Sequence, residues 1–332
     1  MRKHQKKCHR RISAAVIFLC IGAITLAMIG SSSGTAITLE QSEQQETQET
    51  IISHSGSGVS EEKMISVTRS DGTVDTLTLE DYLIGVLSAE VSPQFYEEAL
   101  KAQAIAARTY TESKLQEGQP LCDDYRCCQA YYDESQRRER WNERFDENEA
   151  RLREAVTATS GMVLCYDGQL AKTFFHSTCG GKTASAEEVW GTPYPYLVSV
   201  DCSWDTDAPR YQETVELSVA EANACLNDGV VYCSASPSEV PVVKSQTASG
   251  RAEEVSYGGT QWKGTDFRQK LGLNSTNFSF EINDGVLSIS TIGYGHGVGL
   301  CQHGANGMAK EGYTFEEILT HYYPGCYLET QS

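Results

Sequence analysis

Apolar and polar positions divide the chain into three kinds of stretch. Residues 12–29 (ISAAVIFLCIGAITLAMI) run for 18 positions without a charge, which makes about 27 Å of helix at 1.5 Å per residue and nearly matches a bilayer core. Residues 31–62 contain no Lys, no Arg and no aromatic side chain, and are mostly Ser, Gln, Glu, Thr and Gly. Such a segment has too little apolar surface to fold and reads as a disordered tether; its 32 residues would span roughly 30 Å. From residue 63 to 332, apolar residues recur at helix and strand periods without an internal repeat, as expected of a folded region of one or two domains.

Within that region Thr78, with Asp81 three positions on, makes an approximate capping box. Leu79, Leu83, Val86 and Leu87 follow at helical spacing until Ser92-Pro93, predicting an amphipathic helix over 79–91. Glu90 stands three positions after Leu87 and seven after Leu83, so it continues the apolar stripe and points inward or into a cleft. Burial raises the pKa of a carboxyl group, the state a general acid needs near neutral pH. The alternative is a Glu at a fraying helix end whose stem covers apolar surface while its head reaches water. A second helix is predicted to start at Pro93 and run to Leu115. Its alanines let another backbone approach, and Gln103 and Arg108 are long polar groups in that small-residue setting. Arg108 suits either a polymer substrate or an ion pair with Glu112, four residues on. Residues 162–166 and 171–176, joined through Asp167-Gly168, read as a type I′ hairpin. The Gly180-Gly181 pair at the strand exit permits close approach of a ligand to backbone N–H groups. Residues 293–304 (GYGHGVGLCQHG) hold five glycines in twelve positions and read as a shaped loop. Helices mixed with short antiparallel strands make the fold class α+β.

The 332 residues are 40% hydrophobic with 12 Cys, too apolar for a disordered chain and too poor in Cys for a small disulfide-held scaffold. Six of the 27 Lys and Arg lie in the first 11 positions, where there is no acid, so the other 21 face 45 Asp and Glu. A body that acidic repels phosphate and argues against a nucleic-acid partner. The basic cluster puts residues 1–11 in the cytoplasm, 12–30 in the membrane as a single transmembrane anchor, and the linker 31–62 and domain 63–332 on the outer side. A cleaved signal peptide is the other reading; the apolar run is longer than a usual signal core and no clean A-x-A site follows.

Three blocks then match a known pattern. LEDYLIGVLSAEVSP (79–93) with EALKAQAIAARTY (98–110), AKTFFHSTCGGKTASAEEVWG (171–191) with PYLVSVDC (195–202), and GYGHGVGLCQHGANGMAKEGYTFEEILTHYYPG (293–325) together resemble the stage II sporulation protein D family, related to the amidase enhancers of bacterial walls. The resemblance implies a glycan-binding groove and a lytic transglycosylase that cuts MurNAc to GlcNAc bonds in peptidoglycan strands stripped of stem peptides during forespore engulfment, with Glu90 as the catalytic residue. It also implies a place in the mother-cell membrane facing the intermembrane space, and stage II sporulation proteins P and M as partners. One carboxylate suffices for that chemistry, because the muramic acid 6-hydroxyl is the nucleophile, whereas hydrolytic glycosidases usually need two. The alternative is a non-catalytic glycan-binding module that enhances an amidase.

By the same resemblance His176, Ser177, Thr178 and Gly180 line the groove, and Gln103, Arg108 and Tyr110 belong to the matched helix. His296, Gln302 and His303 suit sugar hydroxyls or N-acetyl groups, and Tyr322 and Tyr323 suit stacking on pyranose faces; His296 reads equally as a core residue holding its loop. Cys179 and Cys301 stand where the family usually has Ser. Cys179 reads as a lone buried thiol, while Cys301 near His296 or His303 raises a rival cysteine-hydrolase reading. Cys122, Cys127 and Cys128 can supply three of four tetrahedral ligands to a structural Zn2+; some relatives place His near Gln116 and at Cys127, so the fourth ligand is unidentified here. A Cys122–Cys128 disulfide is the competing reading, with Cys225–Cys233 as a second pair. No organic cofactor is expected.

Overall fold

The computed structural model describes residues 62–227 and 233–331. The anchor and tether expected over residues 1–61 lie outside them, and among the described residues no helix is long and apolar enough to cross a membrane. The chain divides into two units, Met1–Glu61 and Glu62–Ser332, and the following concerns the second.

β1 (Met64–Thr68) and β2 (Val74–Thr78) pair antiparallel with Ile65 opposite Leu77, and β1 also takes β3 (Leu121–Cys122) in parallel. Between them lie two helices. α1 (Leu79–Glu90) begins where the Thr78 hydroxyl accepts the Asp81 N–H at 3.1 Å and ends where Val91 turns extended ahead of Pro93. α2 (Glu97–Gln116) starts at Glu97 rather than at Pro93. Arg151 accounts for the delay: its guanidinium donates to the carbonyls of Pro93 at 2.7 Å and Phe95 at 2.9 Å, holding 93–96 as a turn. α3 (Glu134–Trp141) and α4 (Phe145–Ala158) are separated at Asn142, whose φ is 47°.

β4 (Met162–Tyr166) turns through Asp167 and Gly168, both at positive φ, into β5 (Gln169–Leu170), the expected type I′ hairpin. Its second arm stops at Leu170. Beyond it Lys172 N–H donates to Tyr196 Oη at 2.8 Å and Thr173 Oγ1 to the Ala106 carbonyl at 2.7 Å, drawing the chain toward α2. β6 (Phe175–His176), β7 (Gly181–Lys182), α5 (Ala186–Trp190) and β8 (Asp201–Cys202) follow, with β7 and β8 antiparallel.

A second core lies in residues 212–292. β9 (Gln212–Ser218) leads to α6 (Val219–Leu226); β10 (Val242–Gln246), β11 (Ala252–Tyr257) and β12 (Thr260–Lys263) form one antiparallel sheet before α7 (Gly264–Leu271). β13 (Phe278–Asn283) and β14 (Val286–Ile292) form another with β9. Val255, Tyr257, Phe267, Leu287 and Ile289 fill the space they enclose. Cys233 is a buried free thiol there, so the expected bond to Cys225 is not formed.

The chain then returns to the first core. Residues 293–299 are irregular as expected, but the segment ends in β15 (Leu300–Cys301), parallel to β6, and in α8 (Gln302–Lys310), followed by α9 (Phe315–Tyr322) and β16 (Tyr327–Thr330) on β4. Gly299 is required where it stands, since a Cβ would overlap the Phe174 carbonyl and its φ is +71°. Leu83, Leu87, Leu100, Ile105, Leu152, Leu300, Met308 and Tyr322 make the first core, gathered around α2 from both ends of the domain. The class is α+β with mainly antiparallel sheets.

Candidate functional site

Glu90 closes α1, and two elements distant in sequence reach its carboxylate. Ala130 N–H donates to Oε1 at 2.8 Å, and Gln302 Nε2, at the start of α8, lies 3.5 Å from Oε2. The side chain is partly buried, as the apolar stripe required. Burial pushes its pKa above the ordinary carboxylate range, and the two donors pull it back in part. α8 is locked to the segment after α1: Asn306 Oδ1 accepts the Tyr96 N–H at 2.8 Å, and the His303 ring meets Phe95 edge-on at 5.1 Å. His303 N–H also donates to the Ser177 carbonyl at 3.0 Å. Glu90, Gln302, His303 and Ser177 are thereby linked through one set of contacts. Gln103, on α2 and 1% exposed, leaves both amide atoms without a partner, which marks it as a group with hydrogen bonds still to make.

Beside that set lies an aromatic one. His176 is buried with Nδ1 3.1 Å from the Val298 carbonyl and Nε2 unpartnered. Its ring lies 5.6 Å from that of His296, which accepts the Val298 N–H on Nδ1 and lies 5.2 Å from Trp190. Burial lowers both histidines, His296 to about 4, so both rings are neutral. Trp190 rests on Phe174 at 4.7 Å and is 43% exposed. The sequence reading passed over this indole. Its signal was available: it ends a short helix whose Ser185–Glu188 capping box is legible in the matched block.

Other expected site residues have different work. Arg108 is 1% exposed and donates to the Thr159 carbonyl at 2.7 Å, the Val156 carbonyl at 3.1 Å and Glu80 Oε2 at 2.7 Å. It ties α2 to the end of α4, and Glu112 pairs with Lys63 instead. Tyr323 is 0% exposed and donates to the Phe174 carbonyl at 2.7 Å, while Tyr322 is buried against Cys202 Sγ at 3.1 Å, so neither ring is open to stack on a sugar. The Gly180 N–H is engaged by Asp205 Oδ2 at 2.8 Å, and Thr178 exchanges backbone bonds with Tyr294. Tyr110 meets Phe174, the ring beneath Trp190, edge-on at 6.0 Å, and its Oη, 3.4 Å from the Cys127 carbonyl, reaches a second corner.

In that corner the sulfurs of Cys122, Cys127 and Cys128 lie within 4.8 Å of one another, all three free, so the Cys122–Cys128 bond is not formed. Cys128 Sγ accepts from the Cys122 N–H at 3.2 Å and from Lys114 Nζ at 3.3 Å. Three soft donors with cationic and N–H support fit three corners of a tetrahedral metal site. The cysteine-hydrolase reading finds no geometry: Cys301 Sγ is buried among Asp205, Cys179 and Ser177, no imidazole among the described residues hydrogen-bonds to it, and burial pushes its pKa well up. Two surface clefts, one along Lys63, Glu112 and Gln169 and one along Trp204, Tyr313 and His321, do not include Glu90.

Fold and site define an α+β domain built around one half-sheltered carboxyl, backed by the Gln302 amide and the Ala130 N–H and bordered by neutral imidazoles and an exposed indole. The model of the stage II sporulation protein family matches residues 68–166. The chain is 37% identical over 264 residues to stage II sporulation protein D of Bacillus amyloliquefaciens, covering 77% of this chain and 75% of that one. It is 35% identical over 260 residues to the protein of the same name from Bacillus subtilis (strain 168), covering 76% and 75%. The amidase enhancer of Bacillus subtilis (strain 168) is 27% identical over 296 residues, 74% of this chain and 40% of that one. The chain belongs to the stage II sporulation protein D family.

Proposed function

We propose that the protein is a peptidoglycan lytic transglycosylase that cleaves MurNAc to GlcNAc bonds of denuded glycan strands during engulfment. The observation that carries this is the Glu90 carboxyl, raised in pKa by burial and held by Ala130 and Gln302 rather than by a second carboxylate. Glu90 donates its proton to the bridging oxygen as the C1–O bond breaks. The resulting carboxylate then takes the proton of the muramic acid 6-hydroxyl as O6 bonds to C1, leaving a 1,6-anhydro end and a reprotonated Glu90. Exposed Trp190, with the His296 ring beside it, supplies a stacking surface for neighbouring sugars, and buried His176 holds the loop behind them.

The same reading has residues 12–30 anchor the domain in the mother-cell membrane, with the domain in the intermembrane space and stage II sporulation proteins P and M as partners. Cys122, Cys127 and Cys128 hold a structural Zn2+ in it. The second reading, a non-catalytic amidase enhancer, is favoured by the similarity to the Bacillus subtilis amidase enhancer. Mass spectrometry of products from purified strands separates the two. Wild type should yield anhydro-MurNAc ends and Glu90→Gln none, with strand binding kept in both. Wild-type protein that binds strands and cuts none turns the assignment to the enhancer, and reducing MurNAc ends turn it to a hydrolase.

A further inference from the structure

Three thiols that are far apart in sequence meet in the first core. Cys179 lies in the turn after β6, Cys202 ends β8, and Cys301 ends β15 as the N-cap of α8. Asp205 joins them one turn after Cys202, in a Cys-x-x-Asp spacing that resembles the Cys-x2-Cys of zinc knuckles. One donor atom from each residue lies within 4.8 Å of the others, and all four residues are buried. Asp205 Oδ2 is 3.1 Å from Cys179 Sγ and 3.5 Å from Cys301 Sγ. With Zn–S near 2.3 Å and Zn–O near 2.0 Å, donors around a tetrahedral zinc sit about 3.5 to 3.8 Å apart.

Charge and hydrogen bonding point the same way. Asp205 is 1% exposed, forms no ion pair among the described residues, and leaves Oδ1 without a partner. Arg251, the buried cation of this region, donates instead to the carbonyls of Cys179 at 2.7 Å and Lys182 at 2.8 Å. Oδ2 accepts the Cys179 and Gly180 N–H groups at 2.8 Å each but meets no cation there, and direct bonding to a divalent ion offsets the cost of burying that charge. Donors also converge on the sulfurs: the N–H groups of Cys179 and Gly304 each lie 3.3 Å from Cys301 Sγ, and Tyr322 Oη lies 3.1 Å from Cys202 Sγ. Outer donors of this kind surround metal-bound thiolates.

We propose that Cys179, Cys202, Asp205 and Cys301 bind one Zn2+ as a structural staple joining the turn after β6, the turn after β8 and the start of α8. Three thiol protons leave to solvent as three Zn–S bonds form, Asp205 supplies the fourth ligand, and no electron is transferred. Four protein ligands leave no open position, so the ion takes no part in chemistry. Cys301 immediately precedes Gln302, and the staple therefore fixes the amide that reaches Glu90. Metal binding is read without glycan, so it stands apart from the reaction proposed at Glu90.

The test uses the full chain in detergent, purified without a nickel column, in a Cys122→Ser, Cys127→Ser, Cys128→Ser background that removes the other thiol cluster. Elemental analysis should give one zinc per chain, released to a chelating dye on titration with a mercurial. Co2+ in its place should show thiolate-to-metal charge-transfer absorption. Adding Asp205→Ala or Cys202→Ser should cut metal affinity by more than about tenfold, the loss that even outer-shell changes bring. If those variants do not fold, the background protein still decides. A folded background chain without zinc that takes up neither Zn2+ nor Co2+, or one that carries a Cys179–Cys202 disulfide on peptide mapping, overturns the proposal.

Discussion

The side-chain amide of Gln302 faces the carboxylate of Glu90, Nε2 to Oε2 at 3.5 Å, across 212 residues of sequence. An amide N–H favours the ionised form of the carboxyl it meets and so opposes the upward push of burial. Gln302→Ala removes that opposition and should raise the Glu90 pKa further. Since the acid must be protonated to start the reaction, the alkaline limb of kcat/KM for anhydro-product formation should move to higher pH, with lower turnover from the misplaced carboxyl. Gln302→Glu sets a like charge beside it and should move the limb further in the same direction. A limb that stays put in both variants would show that Glu90 is not the acid it reports.

Burial of Glu90 also sets a stability trend with pH. Its folded pKa lies above the ordinary value of 4.5, so the unfolded chain loses this proton first. Stability from this group is complete below that value and declines as pH rises toward the folded pKa. Gln keeps a similar shape, accepts the Ala130 N–H through its carbonyl and cannot ionise. Glu90→Gln should therefore unfold at higher urea concentration than wild type at pH 8, with the difference closing at pH 4. Equal midpoints at pH 8 would mean that the carboxyl is as well solvated as in the unfolded chain.

Arg108 supports the fold rather than the groove. Truncation empties a buried site, strips the guanidinium bonds from the Thr159 and Val156 carbonyls, which keep only the Met162 and Thr159 donors, and removes the cation that pairs with Glu80. Arg108→Ala should lose about 3 kcal/mol of stability, or roughly 10 °C in Tm for a domain of this size. Glycan affinity of the folded fraction should stay the same, which titration with denuded strands below the transition can check.

Much of this was legible because local signals and tertiary demands agreed. Thr78 and Pro93 bound α1, the stripe through Leu83 and Leu87 carries Glu90 inward, and Asp167-Gly168 makes its type I′ turn. What escaped depends on partners far away in sequence. Nothing near Pro93 announces Arg151, which delays α2, and nothing near Ala171 announces Tyr196, which ends the hairpin arm. Cys179 reads as a solitary thiol until β8 and β15 bring Cys202 and Cys301 to it. Tyr322 and Tyr323 carry aromatic rings suited to sugars, yet their place at the end of α9 turns both into the core.

Trp190 and Tyr323 should consequently behave as opposites. Trp190 offers a half-exposed ring face beside His296. Trp190→Ala should weaken strand binding about tenfold, the scale of one lost aromatic contact, with little change in Tm. Tyr323→Phe should lose about 1 kcal/mol of stability with the Phe174 hydrogen bond and leave strand binding unchanged. Calorimetric titration and thermal melts on both variants check the pair.

Gly304 tests how tightly the start of α8 is held. In an open helix Gly→Ala is favourable by about 1 kcal/mol, and Gly304 has no positive φ to oppose it. A Cβ at this position, however, would overlap Tyr322 Oη and Cys202 Sγ, both buried and bonded to each other. Both atoms belong to residues that are 0% exposed and both must shift to admit the methyl, so the steric term should win and Gly304→Ala should destabilise by about 1–3 kcal/mol. Because Gln302 lies two residues earlier in the same turn, activity should fall as well, beyond what the loss of folded protein explains. Tyr322→Phe removes the oxygen nearest the new methyl and should recover part of the lost stability in the double variant, a coupling that a double-mutant cycle measures directly. Additive effects, or an Ala variant as stable as wild type, would mean that α8 can slide away from the thiols and that Gln302 is not rigidly presented to Glu90.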